Sequence, residues 1–238
     1  LKERRVAAHN AYAEMERAFR ARWPAIKSGA RVAVHIPSLS YSEGDRVSMT
    51  RLAAQQNAQM ARICEVREPG VDVVYVAPFA LGDDVRKYFF KVLEVGGVAD
   101  AETRARIVVP ENHSRFPPHY SLATMLLYSP RALQRVRNFC KGRNAYIVPS
   151  VVGPDERRLA LALGLPLYAP SPEIASAFGS KSGARRVFAA AGAATPPGVH
   201  DIYSEAELLT ELARLVAANL DVQRWVIKLD DESAGRGI

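Results

Sequence analysis

Four short runs constrain this chain more than anything else in it: Arg31-Val-Ala-Val-His-Ile36, Val71-Asp-Val-Val-Tyr-Val76, Arg106-Ile-Val-Val109 and Ala145-Tyr-Ile-Val148. Each is rich in β-branched residues and nearly unbroken in hydrophobicity, and each meets a proline at or just past its end. A strand with water on one face alternates apolar and polar residues. A run without that alternation is buried on both faces, as in a parallel sheet covered by helices. Helix-patterned stretches fill the gaps: about Met49 to Glu65, Asp83 to Val95, His119 to Tyr128, Pro130 to Lys141 and Pro154 to Leu163. Gly96-Gly97 and Gly164 stop two of them, and Leu165 to Tyr168 adds a last short strand.

The alternation predicts an α/β fold with a Rossmann-like parallel sheet over residues 31–168. The turn after the first strand, Pro37-Ser-Leu-Ser-Tyr41, lacks the G-x-G-x-x-G that lets a backbone approach a dinucleotide pyrophosphate. NAD and FAD are therefore not expected there. Ser38, Ser40 and Ser42, with Tyr41 and Arg46, line the loop beyond that strand. They read either as a substrate pocket or as a polar turn.

Residues 1–30 form a separate element in the pattern. Tyr12, Met15, Phe19 and Trp23 recur at helical spacing among arginines, giving a basic amphipathic helix closed by Trp23-Pro24. Such a helix suits calmodulin or a membrane surface, but packing on its own domain is the preferred reading. The chain carries 32 Lys and Arg against 25 Asp and Glu, a net charge of +7. No zinc-finger spacing or aromatic–glycine RNA-binding signature accompanies that charge, so solvated helix faces explain it better than nucleic-acid binding. No apolar run approaches the roughly 18–20 residues of a membrane span. Two isolated cysteines, Cys64 and Cys140, fit a reducing, cytoplasmic setting rather than a disulfide framework. His113 and His119 lack partners at metal-ligand spacing. The chain opens on Leu1 and ends at Gly237-Ile238 within a motif, so it reads as a piece of a longer protein.

A second unit, 169–238, holds the candidate chemistry. Ser171-Pro172 starts one helix, Ser180 and Lys181 open another, and Ser204-Glu-Ala-Glu207 has capping-box spacing for a third. Trp225-Val-Ile-Lys-Leu229 reads as a strand with Lys228 inside it, followed by Asp230-Asp-Glu-Ser-Ala-Gly-Arg-Gly237. A lysine at a helix start, a lysine on a strand and a small-residue loop make a polyphosphate site if they converge on one cleft. Otherwise the loop is simply a turn. No Walker A sequence is present.

Several of these segments together resemble the entry to an ATP-grasp fold: Ser171 to Lys181, Arg186 to Gly192, Thr195-Pro-Pro-Gly198, and Val226-Ile-Lys228 followed by Gly235-Arg-Gly237. Further segments are similar to the ATP-grasp region of the IQ motif-containing protein H family. They are Val34 to Leu39, Leu52 to Asn57, Val74 to Phe79, Tyr128-Ser-Pro130, Lys141-Gly-Arg143, Asp201 to Ser204 and Gln223-Arg-Trp225. The resemblance implies a pre-ATP-grasp domain at 31–168 and an incomplete, N-terminal part of the ATP-grasp lobe at 169–238. It implies ATP as ligand, with Lys181 and Lys228 on its phosphates and Ser233, Ala234, Gly235, Arg236 and Gly237 folding over them. Mg²⁺ is expected to be held by residues outside this chain, so this chain alone is expected to be inactive. The parent is then either an ATP-dependent carboxylate ligase or a non-catalytic ciliary or flagellar scaffold with calmodulin or axonemal partners.

Overall fold

A computed structural model describes residues 2–231, and these divide between two compact units whose boundary falls between Ser171 and Pro172. The first unit is built on β1 (Arg31–Ile36), β2 (Val71–Val76), β3 (Ala105–Val108) and β4 (Ala145–Pro149). All neighbouring pairs are parallel, in the order β3-β2-β1-β4. Helices make the connections, as parallel strands require. Helix α1 (Lys2–Ser28) precedes β1. Helices α2 (Glu43–Ser48) and α3 (Leu52–Asn57) and a 3-10 helix (Met60–Arg67) lead to β2. Helices α4 (Asp83–Val95) and α5 (Ala101–Arg104) lead to β3. Helices α6 (Leu122–Leu127) and α7 (Pro130–Cys140) lead to β4, and α8 (Pro154–Leu163) follows it.

Successive strand residues point to opposite faces, so each strand feeds two cores. On one face Val32, Val34 and Ile36 pack with Leu122, Leu126, Val136 and Leu159. On the other, Ala33, Val73 and Tyr146 meet Phe19, Ile63 and Leu93. Every fully buried aliphatic side chain among these contributes about 1.5–3 kcal/mol over exposure. The aromatic stripe of α1 packs on its own domain: Tyr12 enters the first core, Phe19 and Ile26 the second.

Several boundaries differ from the sequence expectation. Helix α1 runs through Pro24 to Ser28 instead of stopping at Trp23. The buried Ile26 gives the extra turn a packing reward, and Ser28 Oγ donates to the Pro24 carbonyl at 3.1 Å. The single helix expected over 49–65 is split into α3 and the 3-10 helix, with Arg51 in the left-handed region (φ +54°) ahead of α3. The helix expected from His119 starts at Leu122, where Ser121 Oγ accepts the Thr124 N–H. The strand expected at 165–168 is a single bridge between Leu167 and Ile147.

The second unit contains α9 (Pro172–Phe178), α10 (Lys181–Ala190) and α11 (Glu205–Ala218). No strand occurs among its described residues, so the strand expected at 225–229 is not formed there. A strand satisfies its backbone groups through a neighbour, and here none is at hand. Val226, Ile227 and Leu229 are 62%, 54% and 61% exposed.

Candidate functional site

The N-terminus of α10 carries the best-organised polar cluster of the second unit. Ser180 caps it, its Oγ accepting the Gly183 N–H at 3.0 Å. The next free donor, the Ser182 N–H, is taken by Asp230 Oδ1 at 2.6 Å. Lys181, at the first helical position, donates from Nζ to the Leu229 carbonyl at 2.5 Å and to the Asp230 carbonyl at 3.3 Å. Its backbone N–H also reaches the Asp230 carbonyl at 3.3 Å. Unsatisfied N–H groups and the positive end of the helix dipole favour an anion here, and a carboxylate has taken that place.

Close backbone approach shapes the seat. A Cβ on Gly183 would lie 2.6 Å from the Ala177 carbonyl oxygen and 2.7 Å from Phe178 Cα, so α9 and α10 meet at this contact only without a side chain. A Cβ on Gly179 would fall 2.4 Å from the Ala175 carbonyl oxygen. Arg186 Nη1 grips both carboxylate oxygens of Asp201 at 2.6 and 2.8 Å, while its Nη2 donates to the Ala177 carbonyl. Arg185 holds the Thr195-Pro-Pro-Gly198 turn through the carbonyls of Pro196 and Gly198. The two arginines fasten the turn and α9 to the helix that carries Lys181.

Of the residues expected to bind phosphate, Lys181 lies in this cluster. Lys228 is exposed and directly precedes Leu229, whose carbonyl Lys181 holds. The loop residues Ser233, Ala234, Gly235, Arg236 and Gly237 fall outside the described residues. Sequence reasoning missed Ser182 and the seating of Asp230, because the cluster joins positions 48 residues apart. The acidic Asp230-Asp231 pair just beyond the single lysine Lys228 was the available signal.

In the first unit, the strand order reverses between β1 and β4, the place where open α/β sheets receive ligands. Here the chain's own side chains fill it. Ser38 Oγ accepts the Ala123 N–H and lies 2.8 Å from Ser40 Oγ, which donates to Glu156 Oε1 at 2.6 Å. Glu156 Oε2 accepts the Gly153 N–H at 2.8 Å. Gln56 Oε1 accepts the N–H groups of Leu39 and Leu122. Ser42 caps α2. The serines thus tie loops together, the polar-turn reading. Burial pushes the Glu156 carboxyl up to about 7, despite the hydrogen bonds from Ser40 and Gly153. Burial also pushes the free thiol of Cys140 up to about 11. His119 Nε2 lies 3.7 Å from Glu43 Oε1, and no three His, Cys, Asp or Glu side chains group to hold a metal among the described residues. No helix among them is long and apolar enough to cross a membrane.

Known proteins resemble the second unit in particular. Residues 172–238 match the family described as IQCH-like, ATP-grasp. Over that segment the chain is similar to an ATP-grasp-like region of the IQCH kind. It is 38% identical over 226 residues to IQ motif-containing protein H of Danio rerio, a match that covers 90% of this chain and 21% of that protein. The chain therefore spans about a fifth of the length of that relative. No solved structure matches the chain. Among the described residues of 172–238, the candidate site is the α10 N-terminus with the segment that follows Lys228.

Proposed function

We propose that the second unit supplies the phosphate-holding wall of an ATP site, with the first unit serving as a pre-ATP-grasp domain. One observation carries the reading: the α10 N-terminus already holds an oxyanion, the Asp230 carboxylate two residues after Lys228, while the Lys181 ammonium beside it donates to the Leu229 and Asp230 carbonyls. A donor set that seats a carboxylate suits a phosphate oxygen. In this reading the Ser182 N–H and Lys181 Nζ bind one phosphate, Lys228 reaches another, and residues 233–237 close over them. Mg²⁺, when bound, neutralises phosphate charge and polarises the transferred group. No metal ligand is assigned to this chain.

Such a site fits an ATP-dependent carboxylate ligase, in which phosphoryl transfer to a carboxylate precedes attack by an amine or thiol. Lys181 and Lys228 would stabilise charge developing on the transferred phosphoryl group. In the full-length polypeptide, Lys228→Ala is expected to weaken ATP binding at least tenfold in calorimetry at fixed Mg²⁺, with the circular dichroism spectrum retained. Unchanged affinity overturns the phosphate role.

The relative's name favours a second reading. A protein named for IQ motifs suits a calmodulin-linked scaffold that keeps the fold without turnover. Nucleotide binding with no ATP consumption by the full-length polypeptide, across candidate carboxylates and amines, would select the scaffold.

A further inference from the structure

The seat assigned to phosphate is filled by a side chain of the same unit. Asp230 Oδ1 takes the Ser182 N–H at 2.6 Å, and the Lys181 ammonium donates to the carbonyls of Leu229 and Asp230. Helix end and cation are thus both committed to two consecutive residues of the segment after Lys228. Partial burial alone would raise the Asp230 carboxyl. Hydrogen bonds from Ser182 and Ser180 and the charge of Lys181 outweigh that and hold it below the usual carboxylate range. Asp230 is therefore a carboxylate at neutral pH. A phosphate oxygen within hydrogen-bond reach of the Ser182 N–H would overlap this carboxylate and be repelled by it, so both cannot occupy the seat.

We infer that Asp230 is a built-in stand-in for phosphate, and that a nucleotide enters the seat only as residues 229–231 leave it. The inference rests on the nucleotide reading above and adds its regulation. Departure of Leu229 and Asp230 releases the Lys181 ammonium from their carbonyls, so the lysine becomes available in the same movement that vacates the helix end. The empty and loaded states then differ in the path of residues 229–231, directly after Lys228. A binding step and a conformational step are in this way one event.

Asp230→Asn keeps the size of the side chain and an oxygen for the Ser182 N–H but removes the competing charge. In the full-length polypeptide it is expected to bind Mg-ATP, and separately inorganic tripolyphosphate, at least tenfold more tightly than the natural protein. Tripolyphosphate is also expected to shift the Ser182 amide resonance of the natural protein as its partner is exchanged. Unchanged or weaker binding by Asp230→Asn, while Lys181→Ala and Lys228→Ala both weaken ATP binding, overturns the stand-in role and leaves the nucleotide site intact. Absence of ATP and tripolyphosphate binding in both natural protein and Asp230→Asn overturns the site and the stand-in together.

Discussion

Glu156 shows how far burial outweighs hydrogen bonding at a single residue. It is 1% exposed at the reversal point of the sheet, with its carboxyl raised to about 7 from an ordinary 4.5. The sign follows from linkage. A carboxyl raised on folding binds its proton more tightly in the folded state, so its stabilising effect is complete below about 4.5. That effect is lost as pH rises through about 7. The loss amounts to about 3 kcal/mol well above that pH, at ~1.4 kcal/mol per unit. Glu156→Gln should therefore raise the urea midpoint of the first unit at pH 8.5 and change it little at pH 5, read from Trp23 fluorescence in a Trp225→Phe background. A midpoint that falls equally at both pH values would contradict the raised carboxyl. Gly183 makes a second prediction. Its missing Cβ would collide with backbone atoms at 2.6 and 2.7 Å, which cannot rotate away. Gly183→Ala is expected to cost roughly 1–3 kcal/mol, seen as lost amide protection in α9 and α10. Residue roles of this kind were partly legible. Lys181 stood out as the opening of a helix. Glu156 did not, and Asp230 showed only as part of an acidic turn, because the partners of both are distant in sequence.

Elements were more legible than residues. Strands β1, β2 and β4 lie where unbroken β-branched runs ended by prolines placed them, and α4 and α8 match their glycine-stopped patterns. Signals inside one element survive folding because they come from its own covalent neighbours. The failures have a shared cause in tertiary context. Gln56 sits fully buried and accepts the N–H groups of Leu39 and of Leu122 at the start of α6, so the expected long helix breaks around a polar core position. Residues 225–229 have strand composition but no adjacent strand among the described residues. For α1 the test is direct. Phe19 stands edge-on to Trp23 at 5.4 Å and to Tyr168 at 6.3 Å, and tilted against Tyr146 at 5.8 Å. Phe19→Ala should cost about 3–5 kcal/mol in chemical denaturation, against a few tenths for the exposed Val6→Ala. A helix held in reserve for calmodulin would show no such difference.

At the scale of the whole molecule, the two units are unequally built. The described apolar core clusters draw only on residues of the first unit, between Tyr12 and Ala169. In the second, Ile174, Phe178, Val187, Phe188, Leu209 and Leu220 remain between 45% and 81% exposed. Stability follows buried apolar area, so hydrogen exchange should be markedly faster in α10 and α11 than in β1, β2 and β4. Uniform protection across both units would show that the second has a core of its own. Helix α1 adds a consequence for the first unit. Because Tyr12 is planted on one side of the sheet and Ile26 on the other, this single rod works as a clasp around the β4 border. A protease nick near Arg20 would therefore loosen both layers at once, and damage at the amino end should register as collapse of the entire sheet domain rather than as gradual fraying.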